Sequence, residues 1–197
     1  MITQTLPLMS FPKVNGLNGM VMGNRIPKEY FIAKGHGESD ITVHAGSYHL
    51  ALRAAGIEMV NIMTYSSIMP AIAQEIEKPD RLVHGSVVES IMAVGTAGRG
   101  ERVSAGIILG WLYNKMTGQK FGGLVCEHNG CYSPAEIERL LQDSLNELYV
   151  NGFEEDYYLR DKQIIAESFV PGKKYGTALV ALCFTSYLFP VLSDGGK

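Results

Sequence analysis

The sequence predicts an α+β protein, a layered α/β arrangement dominated by sheet, and three observations carry that expectation. Apolar runs of strand length recur between residues 30 and 188, separated by Gly-, Pro- and Asn-bearing turn signals. Only two stretches, 46–55 and the segment opening at Ser133, space their apolar residues as a helix does. Regular βαβ alternation is missing, which argues against a doubly wound nucleotide-binding sheet. The glycines Gly95-x-x-Gly98-x-Gly100 lie between strands and open no helix, so they are not a phosphate-cradling loop.

Taken in order, residues 1–25 are rich in Pro, Gly, Asn and Met without any period, and read as an N-terminal arm. Residues 26–190 read as a single domain and 191–197 as a tail. A first strand at 30–33 is expected to turn at Gly35 and Gly37. A short helix over 46–55 follows, because Tyr48, Ala51, Leu52 and Ala55 share one face and Gly56 stops it. Met59 to Met63 is an apolar run and reads as a buried strand. Strands at 83–94 and 103–113 flank a turn at 95–100, and a hairpin near Asn114 to Gly118 leads into a strand at 120–128. Ser133-Pro134-Ala135-Glu136 has the pattern of a capping box with proline at the first helical position. Ile137, Leu140, Leu141, Leu145 and Leu148 line one face of the helix it opens, and Asn151-Gly152 is expected to close it. A polar segment at 153–161 precedes two last strands, 163–170 and 174–188, joined at Pro171-Gly172.

Composition narrows the function. The chain has 197 residues, of which 46% are hydrophobic and 19% charged, enough to build a sizeable core. A net charge of −3, with no Lys/Arg run longer than two, argues against nucleic acid as a partner. No apolar run reaches the ~18 residues that span a bilayer, and no secretion signal is recognisable, so neither membrane nor export is expected. Cys126, Cys131 and Cys183 then read as reduced thiols of a cytoplasmic protein. Cys126, His128 and Cys131 lack the four-ligand spacing of structural zinc, so no metal is expected.

The chemistry centres on Asn61-Ile62-Met63-Thr64-Tyr65-Ser66-Ser67-Ile68-Met69-Pro70. Two serines at a strand end ordinarily cap or turn the chain. A serine held in a tight turn has a second capacity: its hydroxyl can attack the carbonyl before its own nitrogen. Attack by Ser67 Oγ on the Ser66 carbonyl exchanges the amide for an ester. Elimination leaves dehydroalanine at 67, and hydrolysis turns that into an N-terminal pyruvoyl group. The products are residues 1–66 and 67–197, the second with a built-in ketone that serves as an electron sink like pyridoxal. Asn61 could supply an amide donor to the oxyanion of the cutting step.

The run NIMTYSSIMP resembles the self-cleavage segment of the pyruvoyl-dependent arginine decarboxylases. The resemblance continues in Gly37-Glu38-Ser39, in Ala55-Gly56-Ile57, in the segment Gly123-Leu124-Val125-Cys126-Glu127-His128-Asn129-Gly130-Cys131-Tyr132-Ser133, and in Lys174-Tyr175-Gly176. It covers roughly residues 25 to 188, with these motifs in order. It implies a four-layer α/β/β/α sandwich, self-cleaved into a β chain (1–66) and an α chain (67–197), and assembled as a homotrimer with active sites between subunits. It implies a carboxy-lyase that converts L-arginine to agmatine and CO2, a step of polyamine biosynthesis, with a covalent pyruvoyl from Ser67 and neither metal nor pyridoxal phosphate. Glu127 occupies the position of the family's proton donor, and a carboxyl partly desolvated by apolar walls suits that role.

Substrate selection departs from the resemblance. Where the arginine enzymes carry an aspartate to pair with the guanidinium, this chain has His49, which cannot form that ion pair. Glu38, Asp40 or Glu58 is then the candidate replacement, and backbone groups around Val60 together with the new Ser66 carboxylate are candidates for the substrate's polar end. Two alternatives stay open: the same chemistry on another amino acid, and an uncleaved, non-catalytic trimeric binding protein.

Overall fold

A computed structural model of the chain describes residues 13–14, 17–18 and 23–190. The arm and tail expected at 1–25 and 191–197 lie mostly outside those residues. The described residues divide into two compact units, Met1–Ile26 with Leu188–Lys197, and Pro27–Tyr187. Within the first, Lys13–Val14 (β1) pairs antiparallel with Leu17–Asn18 (β2), and Gly23 N donates to Pro190 O at 2.7 Å.

The larger unit is built from two sheets. Ile26–Ser39 (β3) leads into a π turn, Val43–Tyr48, and the α-helix His49–Ala55 (α1). Asn61–Thr64 (β4), Ile68–Pro70 (β5) and Gln74–Glu75 (β6) are short. Val87–Gly98 (β7), Val103–Asn114 (β8) and Lys120–Gly130 (β9) are long. Pro134–Gly152 (α2), Tyr157–Phe169 (β10) and Tyr175–Leu188 (β11) complete the order. The five-stranded sheet runs β4-β7-β11-β3-β6 and the four-stranded sheet β10-β8-β9-β5.

Side-chain alternation sorts the apolar residues into three clusters. Ile91, Ala93, Ile107, Leu109, Val125, Val180 and Phe184 fill the space between the sheets. Ala51, Leu52 and Ala55 of α1 bury the outer face of the five-stranded sheet against Phe31, Val88 and Leu179. Ile137, Leu141 and Leu145 of α2 cover the four-stranded sheet at Ile108, Leu112 and Leu124. The capping box forms in full: Ser133 Oγ accepts from Glu136 N and Glu136 Oε2 from Ser133 N.

Several boundaries differ from expectation for physical reasons. β3 does not turn at Gly35 and Gly37. A Cβ on Gly37 would stand 2.5 Å from both Ala51 N and Ser47 O, and one on Gly35 2.5 Å from Ala51 O, so these glycines let α1 lie directly on the strand. The helical segment starts earlier, at Val43, and ends as expected on Gly56 at φ 70°. β4 is an edge strand rather than a buried one, with Met59 and Met63 exposed. β7 begins four residues later than expected and runs to Gly98. The supposed polar insertion is half strand, broken by an irregularity between Arg160 and Gln163 where Asp161 takes φ 50°. α2 ends without a left-handed glycine, on Phe153 at φ −137°.

Candidate active site

The chain changes sheets at Tyr65-Ser66-Ser67. β4 pairs parallel with β7 at the edge of one sheet, and β5 pairs antiparallel with β9 at the edge of the other. Pro70 is tolerated because β5 is an edge strand. Tyr65 N donates to Ser90 O at 2.7 Å, tying the upstream side to the five-stranded sheet. Val125 N donates to Ser67 O at 2.9 Å, tying the downstream side to the four-stranded sheet. Between these anchors Ile68 N donates to Ser66 O at 3.0 Å, a three-residue turn with Ser67 at its centre. The carbonyl that Ser67 would attack therefore already carries a backbone donor.

Glu127 belongs to the same place. On β9, Val125 and Glu127 share the face toward the other sheet, where Glu127 stands opposite Ile107. Cys126 and His128 face α2, and His128 Nε2 hydrogen-bonds Ser144 Oγ at 2.7 Å. The β5 register, Ile68 to Leu124, puts Ser67 across from Val125. Glu127 is then one diagonal step from Ser67, a relation that places side chains within about 7–8 Å. Desolvation raises the Glu127 carboxyl above its ordinary value, opposed by nearby His128 and by a backbone hydrogen bond, although the side chain still reaches solvent.

The other expected site residues lie elsewhere in the single chain. Asn61 opens β4, and its Nδ2 donates to Gly85 O at 3.0 Å while its N donates to Ser86 O at 2.8 Å. Five residues of extended chain, about 3.3 Å each, separate it from Ser66. Glu58 and Val60 precede it in the same loop. His49 is exposed on α1, with the five-stranded sheet between that helix and Ser67. Glu38 and Asp40 are occupied in the 171–174 turn: Glu38 Oε2 accepts from Gly172 N and Lys173 N, and Asp40 Oδ1 from Lys174 N and Arg99.

One polar pair at the crossing escaped the sequence reading. Glu89 on β7 is 4% exposed, faces the space between the sheets, and accepts a hydrogen bond from Tyr65 Oη. A glutamate on the core parity of Val87-Val88-Glu89-Ser90-Ile91-Met92 was the available signal.

A family model described as pyruvoyl-dependent arginine decarboxylase matches residues 29–189. Proteins of that name are similar in archaea. That of Methanopyrus kandleri is 32% identical over 123 residues, 62% of this chain and 75% of its own. That of Methanococcus aeolicus is 29% identical over 159 residues, 80% of this chain and 90% of its own. The match to the Methanococcoides burtonii protein is 39% identical and spans about half of that relative, 47% of its length and 42% of this chain. With the family's match running through both sheets and across the Ser66-Ser67 crossing, the chain belongs to the pyruvoyl-dependent arginine decarboxylase family.

Proposed function

We propose that this protein cuts itself between Ser66 and Ser67 and then decarboxylates L-arginine to agmatine and CO2. The observation that carries the reading is the crossing itself, where a turn centred on Ser67 holds the Ser66 carbonyl on Ile68 N–H and Glu127 shares the inner face. In the cutting step Ser67 Oγ bonds to the Ser66 carbonyl carbon as the C–N bond breaks, and the hydroxyl proton passes to the Ser67 nitrogen. Ile68 N–H meets the oxyanion, and Asn61 is a further candidate donor. Loss of the Ser67 Cα proton then expels the Ser66 carboxylate from Cβ. Water replaces the nitrogen, which departs as ammonia, leaving residue 67 as pyruvoyl.

Once formed, that group supplies a carbonyl that condenses with the substrate amine and takes up the electrons released with CO2. The remaining work falls to the chain. Glu127 holds a proton for the substrate Cα, and its raised carboxyl keeps that proton at higher pH than an ordinary glutamate would. The apolar lining from Ile107 and Val125 favours loss of a carboxylate as neutral CO2.

We assign His49, Glu58, Val60 and the new Ser66 carboxylate to substrate binding. The resemblance implies a homotrimer with sites between copies, an assembly in which Asn61, Glu58 and His49 of one copy would serve the Ser67 of another. Among the described residues no helix is long and apolar enough to cross a membrane, and we place the enzyme in the cytoplasm, consistent with free Cys126, Cys131 and Cys183.

Intact mass spectrometry under denaturing conditions tests the cut, with two species expected, 1–66 and 67–197 with pyruvoyl first; a single full-length mass contradicts it. Carbon dioxide release across a panel of amino acids tests the substrate. Arginine is expected to lead. Because His49 stands where the resemblance expects an aspartate, preference for another amino acid would keep the chemistry and replace the substrate.

A further inference from the structure

The geometry points to Tyr65 and Glu89 as a positioning pair for self-cleavage, a role that rests on the reading of Ser66-Ser67 as the cut bond. Ser66 and Ser67 carry the chain from β4 in one sheet to β5 in the other, so the attack geometry depends on how firmly each side is moored. Downstream, Val125 N donates to Ser67 O at 2.9 Å and the Met69 side chain is buried in the cluster between the sheets. Upstream, Tyr65 is held by backbone and side chain. Its N donates to Ser90 O at 2.7 Å, and its Oη donates to the Glu89 carboxylate inside the core. The ring packs on Phe184, centroids 5.6 Å apart, within the cluster between the sheets.

Glu89 has no place in the cutting or decarboxylating chemistry derived above, yet it is 4% exposed among Ile91, Ala93 and Phe184. Taking a carboxylate there is costly and needs a return. Anchoring the residue just before the scissile pair is one: the tether fixes the Tyr65 ring, the ring fixes the approach to Ser66, and the Ser66 carbonyl stays on Ile68 N–H. Small displacements of reacting atoms cost rate steeply, up to ~10²-fold for about 1 Å.

The test follows the appearance of 1–66 and 67–197 by intact mass after rapid synthesis or refolding, alongside the melting temperature of each uncut chain. Tyr65→Phe is expected to slow cleavage roughly tenfold or more, since the hydrogen bond that tethers the ring is lost. Glu89→Gln keeps an acceptor for Tyr65 Oη and is expected to cut within about threefold of the natural rate. The double variant Tyr65→Phe/Glu89→Leu removes both polar groups, so its stability should match or exceed the natural chain while its cleavage stays slow. Natural-rate cleavage in Tyr65→Phe or in the double variant would overturn the pair's role and leave the self-cleavage reading intact. A natural chain that never cuts would overturn both.

Discussion

The crossing at 61–70 and the β8–β9 hairpin at 103–130 lie side by side and are built on opposite terms. β8 is 12 residues long and buried from Val103 through Leu112, with β10 on one side and β9 on the other. β4 and β5 are four and three residues long, both at sheet edges, with Asn61, Met63, Thr64, Ser66 and Ile68 exposed. The contrast separates two tasks. The hairpin resists change because β8 packs along its whole buried run, and it presents Glu127 from a fixed register. The crossing is packed at Tyr65 and Met69 and exposed at Ser66 and Ile68 between them, so its backbone can turn at Ser67 and later part, its two ends kept in place by neighbouring strands.

The sharpest way to break this contrast is Ser67→Ala. The Val125 N to Ser67 O bond uses only backbone and survives, so the chain should fold while cleavage and decarboxylation both vanish. Mass spectrometry would find one full-length species, and a thermal melt near that of the natural chain would exclude misfolding. Next in size is Glu127→Gln, which leaves the crossing alone and alters the hairpin's contribution. The variant should still cut itself, but its decarboxylation rate should fall by about 10²–10⁴. The pH profile gives the sign. Desolvation raises the natural carboxyl, so the acid form persists above the usual range, and the rate declines as pH rises through that raised value. In Glu127→Gln that declining limb should be gone; its persistence would assign the proton to another group.

The hairpin was readable from the sequence and the crossing was not, for the same reason. Local signals decide the long strands, the capping box of Ser133 and Glu136, and the stop at Gly56, because each is set by residues within a few positions of one another. The serine pair and Glu127 could be singled out, but their meeting depends on the register of β5 on β9, which pairs residues far apart in sequence. Met59 to Met63 looked buried because an apolar run carries no mark of whether a neighbouring strand or a partner covers it. Gly35 and Gly37 looked like a turn because glycine permits one, whereas their function is to leave room for a helix whose position no local pattern reports. The resemblance assigns Asn61 and His49 to the same chemistry as Ser67, and no local pattern reports that within a single chain the five-stranded sheet lies between His49 and Ser67.

Two smaller changes sharpen the comparison from the scaffold side. Ile108→Ala empties a fully buried position where β8 meets α2, and urea denaturation should report a loss of about 2–5 kcal/mol. Ile108 points away from the space between the sheets, so well below the melting temperature the cleavage rate should hardly move. A rate that fell in step with stability would mean the crossing shares the hairpin's rigidity. Gly37→Ala has the smallest expected effect, about 1–3 kcal/mol from overpacking. Its Cβ would press on Ala51 N and Ser47 O, backbone atoms that cannot rotate aside, so α1 must lift from β3. Gly37 has no positive φ, and the loss would therefore measure space and not backbone conformation. Since α1 lies on the outer face and the crossing on the inner one, cleavage should proceed at the natural rate in the destabilised variant. If it slowed, the five-stranded sheet would be transmitting the displacement of α1 through β4 to Tyr65, and the upstream mooring would extend to the helix layer.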